Sequence, residues 1–244
     1  MFFYLASIRK SIKATISDSN KDLINSYVVV RDALDEVLIE LGKLQKRATD
    51  KRFYYRVARK KFNETKLDLT VECNVEKAAL LFYLNKTCYN GLYRVNKSNE
   101  FNVPWGRYKN PRIYDVENLR AVNEVLSRPN IRIMCLDYQE AMKDAKAGEF
   151  IYFDPPYQPT SSTASFTSYT PGSFDEADQV KLAQVYQELD KRRCLLMLSN
   201  SPRVLSVLHD LYKGYRIERV KANRAINCQG NKRGPVEEIL VLNY

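Results

Sequence analysis

No stretch of this chain restricts its fold more than Phe150-Ile151-Tyr152-Phe153-Asp154-Pro155-Pro156-Tyr157. The first four residues have the β-branched and aromatic character of a buried strand. Two consecutive prolines then end it, because each fixes φ near about −65° and has no N–H to give to a ladder. The chain must leave the sheet in a stiff corner that presents the Asp154 carboxylate and the Pro155 carbonyl beyond the strand's carboxyl end. A Pro-Pro turn leaving a strand accounts for these residues by themselves, so their meaning depends on the rest of the sequence.

Other short apolar runs, over 131–136 and 195–198, alternate with helical patterns over 137–147 and 174–193. Such alternation predicts an α/β fold with ligands at the carboxyl ends of its strands. Residues 13–17 form a β-prone run ending at Asp18-Ser19-Asn20, and 216–220 with 238–241 resemble a closing antiparallel pair. Helices are expected over 1–8, from Asp22 to about Lys61 with a break near Gly42, and from Glu76 to Tyr89. The stretch that follows is rich in turn chemistry: Asn90-Gly91, Asn102-Val103-Pro104 and Lys109-Asn110-Pro111. The block 45–125 interrupts the alternation and reads as a mostly helical inserted lobe. Residues 1–44 and 126–244 are then the core.

With 244 residues the chain is long enough for one large domain, or a core with one insertion. Its 39 Lys and Arg against 29 Asp and Glu leave a net charge of +10. The excess is local. Lys43, Lys46, Arg47, Lys51, Arg52, Arg56, Arg59, Lys60, Lys61 and Lys66 face only Asp50 and Glu64 over that span, with Phe53, Tyr54, Tyr55 and Phe62 interleaved. A solvated helix face would explain these charges alone. Together with a second basic segment from Arg94 to Arg112, they favour a nucleic-acid-facing surface. The five cysteines are scattered, none at C-x-x-C spacing, and there is a single His, so no metal site is expected and a reducing cytoplasmic setting fits. No apolar run approaches the roughly 18 residues of a membrane span, and the amino terminus lacks the basic region of a signal peptide. A soluble protein without membrane partners is expected.

The corner at Asp154 suits one kind of chemistry. The exocyclic amine of a nucleobase is a poor nucleophile because its lone pair is delocalised into the ring. A carboxylate oxygen and a fixed backbone carbonyl can accept its two hydrogens and turn the lone pair toward an electrophile. A neighbouring aromatic ring can stack on a base rotated out of the duplex. Asp154, Pro155 and Tyr157 supply these three functions without a metal.

Taken with Tyr89-Asn90-Gly91-Leu92-Tyr93-Arg94-Val95-Asn96 and Glu100-Phe101-Asn102-Val103-Pro104-Trp105-Gly106-Arg107-Tyr108-Lys109, the Asp154-Pro155-Pro156-Tyr157 motif resembles the Dam-type, D12 class adenine-specific DNA methyltransferases. The resemblance runs from about Phe2 through Ile239-Leu240-Val241-Leu242-Asn243-Tyr244, with the elements in the same order. It implies a Rossmann-like methyltransferase sheet with an inserted, mostly helical DNA-recognition lobe. It also implies methyl transfer from S-adenosylmethionine to adenine in GATC, a double-stranded DNA partner, a monomer, and restriction-modification as one setting. Asp154 and Pro155 would orient the amine, Pro156 would complete the motif, and Tyr157 would stack.

The same resemblance makes Asp18 the ligand of the cofactor's ribose hydroxyls, although capping the helix near Asp22 is a rival role. Asp137 and Tyr138 would lie near the cofactor's adenine, one as acceptor and one as packing surface, and Asp154 beside its methionine part. Tyr89, Asn90, Leu92, Arg94, Asn96, Pro104 and Arg107 match the family's DNA-reading hairpin. Arg94 would donate to guanine O6 and N7 together. Leu92 and Pro104 would meet thymine methyls, Tyr89 would wedge into the stack, and Asn96 and Arg107 would hold phosphates. Each is also an ordinary loop residue in a plainer reading. Ser199-Asn200 would shape its strand end rather than react.

The family pattern begins with a Lys-Trp-x-Gly-Gly-Lys-like segment and a strand leading into a glycine-rich loop, ahead of a helix resembling Phe2-Phe3-Tyr4-Leu5. Here the chain starts at that helix, and no glycine precedes Gly42. The expectation is therefore a sheet lacking its first central strand and weak or no methyl transfer, with a missing amino-terminal segment as a partner. The alternative is a truncated, catalytically weak or inactive remnant that binds DNA.

Overall fold

A computed structural model describes residues 1–69, 72–157, 174–207, 210–223 and 235–244. Cys228 and the single His, counted above, lie outside them. The chain divides into two compact units, Met1–Tyr93 with Glu100–Ala141, and Arg94–Asn99 with Met142–Tyr244.

The first unit contains α1 (Phe2–Ile8), β1 (Ala14–Ser17), α2 (Lys21–Asp32) and α3 (Leu34–Gln45). A further helix follows, built from α4 (Lys51–Phe53), a π-helical turn (Tyr54–Ala58) and α5 (Arg59–Glu64). Then come α6 (Val75–Thr87), a single 3₁₀ turn (Tyr89–Gly91), α7 (Val116–Leu126), β2 (Ile131–Met134) and α8 (Tyr138–Ala141). Strands β1 and β2 are parallel, with Ala14 opposite Ile131 and Ser17 opposite Met134. The expected strand 131–136 stops at Met134 because β1 ends at Ser17, whose hydroxyl instead donates to the Leu136 carbonyl at 3.2 Å. The core gathers Val37, Leu41, Tyr54, Tyr83, Leu84 and Phe101, all essentially without solvent exposure.

The long helical pattern from Asp22 breaks over 46–50, just past Gly42 and close to the expected place, and it also breaks at Ala33, where the sequence carries no breaker. The cause at Ala33 is a side chain from α7. Asn123 Nδ2 donates to the carbonyls of Val30 at 2.8 Å and Arg31 at 2.9 Å. These are carbonyls that a continuing helix would have used itself, so a partner from elsewhere makes the break tolerable. Similarly, the helical pattern 137–147 shrinks to Tyr138–Ala141, and Gly148 at φ +81° turns the chain into the next strand.

The second unit holds β3 (Phe150–Phe153), α9 (Glu176–Lys191), β4 (Leu195–Asn200), α10 (Arg203–Val207), β5 (Arg216–Asn223) and β6 (Pro235–Leu242). The strand order is β3-β4-β6-β5; β3 and β4 are parallel, and the expected closing pair β5 and β6 is antiparallel. Helix α9 starts with a capping box between Asp175 and Asp178. Its buried Tyr186 donates toward the carbonyls of Leu196 at 3.3 Å and Val241 at 3.2 Å, seating the helix on two strands. Asn243 pins the tail: its Oδ1 accepts from Leu196 N at 2.7 Å, and its Nδ2 donates to Asp190 at 2.6 Å. No described helix is long and apolar enough to cross a membrane.

Candidate active site and nucleic-acid interface

In the second unit, β3 delivers the chain to Asp154 at its carboxyl end, where the carboxylate is exposed. Three buried side chains brace this corner. Ser199 of β4 donates to Asp154 Oδ1 at 3.0 Å. Gln179 of α9, wholly buried, donates to the Pro156 carbonyl at 3.1 Å and accepts from Asn200 Nδ2 at 3.1 Å. Tyr157 is half-buried and its hydroxyl donates to Glu238 Oε2 at 3.3 Å. Burial pushes the Tyr157 phenol up to about 12, with nearby Asp154 and Glu238 adding to the shift, so it remains a donor at neutral pH. Among the described residues, Asp154 Oδ2 and the Pro155 carbonyl have no hydrogen-bond partner.

In the first unit, Asp18 and Asp137 follow the parallel strands β1 and β2, so both stand at carboxyl ends of one two-stranded sheet. Asp18 Oδ1 accepts from Asn20 N at 2.7 Å. Asn20, not Asp18, caps α2, accepting from Asp22 N at 2.9 Å and Leu23 N at 3.1 Å. This removes the rival role for Asp18. Its second oxygen has no protein partner among the described residues, and burial raises its pKa from the ordinary carboxylate value. A partly buried carboxylate with one oxygen uncommitted fits the hydroxyls of a ribose. Asp137 accepts from Gln139 N at 2.9 Å, which starts α8 with Tyr138 half-buried in its first turn.

The segments around Tyr89 and Pro104 are also in this unit, and they pair through backbone. Tyr89 N donates to Pro104 O at 2.7 Å and Gly106 N to Thr87 O at 2.8 Å. Gly106 is required for this approach, since a Cβ there would lie 2.5 Å from the Cys88 carbonyl oxygen. Asn90 at φ +55° and Gly91 at φ +61° form consecutive left-handed residues, which Asn-Gly sequences adopt readily. The structure thus brings Tyr89, Asn90 and Leu92 together with Pro104 and Arg107. Tyr89, Pro104 and Arg107 are exposed, and Arg107 is held at φ +59°, uncommon for its residue type. Arg94 and Asn96 belong to the 94–99 piece grouped with the second unit, where Asn96 Oδ1 accepts from Ser98 N in a tight turn.

The hairpin is supported from the basic helix. Tyr54 donates to the Val103 carbonyl at 2.8 Å, and the Tyr55 hydroxyl accepts from Trp105 N at 3.1 Å. Two adjacent tyrosines reach the same segment, 103–105, from within the π-helical turn. Tyr54 and Phe62 are therefore core residues, while Lys51, Arg52, Arg56 and Lys60 project outward. Lys60 faces Glu64 and Lys61 pairs with Glu76, but Lys51, Arg52 and Arg56 make no ion pair among the described residues. A face of unpaired cations backed by a rigid aromatic core suits a phosphate backbone. Lys77 is different: its ammonium is buried against the Phe62 ring and bonds to the carbonyls of Phe62 and Thr65 and to Asp22. Burial lowers its pKa and Asp22 opposes that. Asp22 also accepts from Tyr93, the residue before Arg94, at 3.1 Å.

A family model described as D12 class N6 adenine-specific DNA methyltransferase matches residues 1–226. The chain belongs to this family. It is 45% identical to the type II methyltransferase M.MjaIII of Methanocaldococcus jannaschii, over all of this chain and 84% of that protein. It is 42% identical to the type II methyltransferase M1.LlaDCHI of Lactococcus lactis subsp. cremoris, again over the whole chain and 82% of the relative. The DNA adenine methylase of Escherichia coli is 33% identical over 93% of this chain and 78% of its own length. The mixed α/β architecture agrees with a methyltransferase fold.

Several residues that shape this D12 methyltransferase's site carried no sequence signal of their own. Gln179 and Glu238 sit in a helical and a strand pattern where a polar residue reads as surface. Gly106 is a lone glycine whose constraint, the Cys88 carbonyl, lies across a turn. Ser199 and Asn200 were expected to shape the strand end, and the bonds from Ser199 to Asp154 and from Asn200 to Gln179 agree with that.

Proposed function

We propose that this methyltransferase transfers a methyl group from S-adenosylmethionine to the exocyclic amine of adenine in double-stranded DNA, within GATC. The observation that carries the chemistry is the pair of uncommitted acceptors at the Asp154 corner, a carboxylate oxygen and the Pro155 carbonyl, on a backbone braced from beneath. They accept hydrogen bonds from the two amine N–H groups and draw the lone pair out of the ring, so that it points at the electrophile; after transfer the nitrogen keeps one N–H and releases the other proton to solvent. S-adenosylmethionine, when bound, supplies that electrophile as a sulfonium methyl. Tyr157, anchored through its hydroxyl to Glu238, stacks its ring on the extruded base, and Pro156 fixes the corner between them.

Asp18 holds the ribose hydroxyls, Asp137 and Tyr138 contact the cofactor's adenine, and Asp154 also lies beside its methionine part. Residues 45–125 act as the DNA-recognition lobe of a Rossmann-like core made by 1–44 and 126–244. In that lobe Arg94 reads guanine, Leu92 and Pro104 meet thymine methyls, Tyr89 wedges, Asn90 sets the turn, and Asn96 and Arg107 hold phosphates. The protein works as a monomer on cytoplasmic DNA, for which free thiols at Cys73, Cys88, Cys135 and Cys194 are suited. The family match favours methyl transfer over the expectation of weak or no transfer and over its alternative, a truncated, weak or inactive remnant that binds DNA. The test is a set of duplexes in which each GATC base is changed in turn. Transfer is expected to the GATC duplex and to fall sharply for each altered one; equal transfer to all would overturn the recognition sequence.

A further inference from the structure

We propose that Ser199 is a positioning residue for methyl transfer, fixing the Asp154 carboxylate so that Oδ2 is the oxygen offered to the adenine amine. This rests on the role of Asp154 given above. Strands β3 and β4 are parallel, with Phe153 opposite Leu198, so Ser199 comes one step beyond the last pair, level with Asp154. Ser199 is 2% exposed, whereas the carboxylate it meets is open to solvent. An exposed carboxylate with no tether would sample several rotamers, and each would need to be ordered at the moment of reaction.

The direction of the hydrogen bonds follows from counting hydrogens. Ser199 Oγ lies 3.0 Å from Asp154 Oδ1, 3.0 Å from the Tyr152 hydroxyl and 3.4 Å from the Phe153 carbonyl, and it is also within reach of the Tyr157 hydroxyl, whose own hydrogen goes to Glu238. A serine has one hydrogen to give, and the carboxylate is the strongest acceptor within reach. Ser199 therefore donates to Asp154, and Tyr152 donates to Ser199. Burial raises the Tyr152 pKa, which keeps the phenol protonated as that donor. The result is a one-way chain, Tyr152 to Ser199 to Asp154 Oδ1. It occupies one carboxylate oxygen from the protein side and leaves the other as an acceptor only.

The experiment uses the full chain and steady-state kinetics with a GATC duplex. Ser199→Ala is expected to lower kcat by about tenfold to a hundredfold, the loss of a hydrogen bond to a charged group. KM for DNA and for S-adenosylmethionine, and the melting temperature, should stay near wild type. Ser199→Thr, which keeps the hydroxyl, should recover most of the turnover, and Tyr152→Phe should lower kcat by a smaller factor. If Asp154→Ala turns over like wild type, the role of Asp154 itself fails. If Asp154→Ala is inactive while Ser199→Ala and Tyr152→Phe both turn over like wild type, only the positioning role fails. It also fails if Ser199→Ala loses kcat, KM and thermal stability together and Tyr152→Phe is unaffected.

Discussion

At the Asp154 corner the backbone is held by buried side chains: Gln179 on the Pro156 carbonyl, Asn200 on Gln179, and Ser199 on the carboxylate. In the 87–107 region the frame is main-chain pairing of Thr87 and Tyr89 to Gly106 and Pro104, with the hydroxyls of Tyr54 and Tyr55 bracing it from behind. The difference matches what each has to do. Orienting a lone pair requires one fixed geometry for two acceptors, which interlocked side chains provide. A DNA-reading edge needs exposed residues that can be exchanged without moving the frame, which backbone pairing allows. Single side-chain changes should therefore disable the corner while sparing the fold, whereas the hairpin should fail as a unit only where its backbone is forced apart.

The largest effect tests the corner alone. Asp154→Ala should lower methyl transfer by about a hundredfold to a thousandfold, with DNA affinity in a gel-shift titration close to wild type; matching loss of binding would erase the distinction between the two regions. Gly106→Ala should then show the hairpin failing as a unit. A methyl group 2.5 Å from the Cys88 carbonyl must push the paired segments apart, a loss of about 1–3 kcal/mol measurable by thermal denaturation. An unchanged melting temperature would mean that the pairing yields easily.

Arg94→Ala should leave the frame intact and reduce discrimination at one guanine by about 1–3 kcal/mol, read from transfer to matched and mismatched duplexes. A uniform loss across all sequences would make Arg94 a phosphate contact. The smallest effect concerns pH. Burial raises the Asp18 pKa, so as pH falls its carboxylate is protonated earlier than an ordinary aspartate and loses an acceptor for the ribose hydroxyls. S-adenosylmethionine affinity by calorimetry should weaken on that acid side, and Asp18→Asn should flatten the dependence.

Most of the strands and the corner were legible in the sequence because their signals are local. Phe150-Ile151-Tyr152-Phe153 followed by Pro155-Pro156 can be little other than a strand that stops. The additional helix break at Ala33 shows the limit. Gly42 carries a local breaker signal for the break that comes over 46–50, but the break at Ala33 depends on Asn123, some ninety residues later, capping Val30 and Arg31. The cation-rich helix was likewise half legible: the charges indicated an outward face, while Tyr54 and Phe62 proved to be the core behind it. Lys77 had no signal, since a lysine in a helix reads as surface unless the carbonyls of Phe62 and Thr65 are known to converge on it. The candidate site followed the same division, with its presenting residues visible as motifs and its bracing residues visible only in three dimensions.

The most direct test of the central claim is the identity of the product. DNA containing GATC is incubated with the purified chain and S-adenosylmethionine carrying an isotopically labelled methyl group, then digested to nucleosides for mass spectrometry. The label is expected on N6 of adenine, and reduced by about a hundredfold or more when Asp154→Ala replaces the wild-type chain. Label on cytosine, or equal labelling of adenine by the Asp154→Ala protein, would contradict the account.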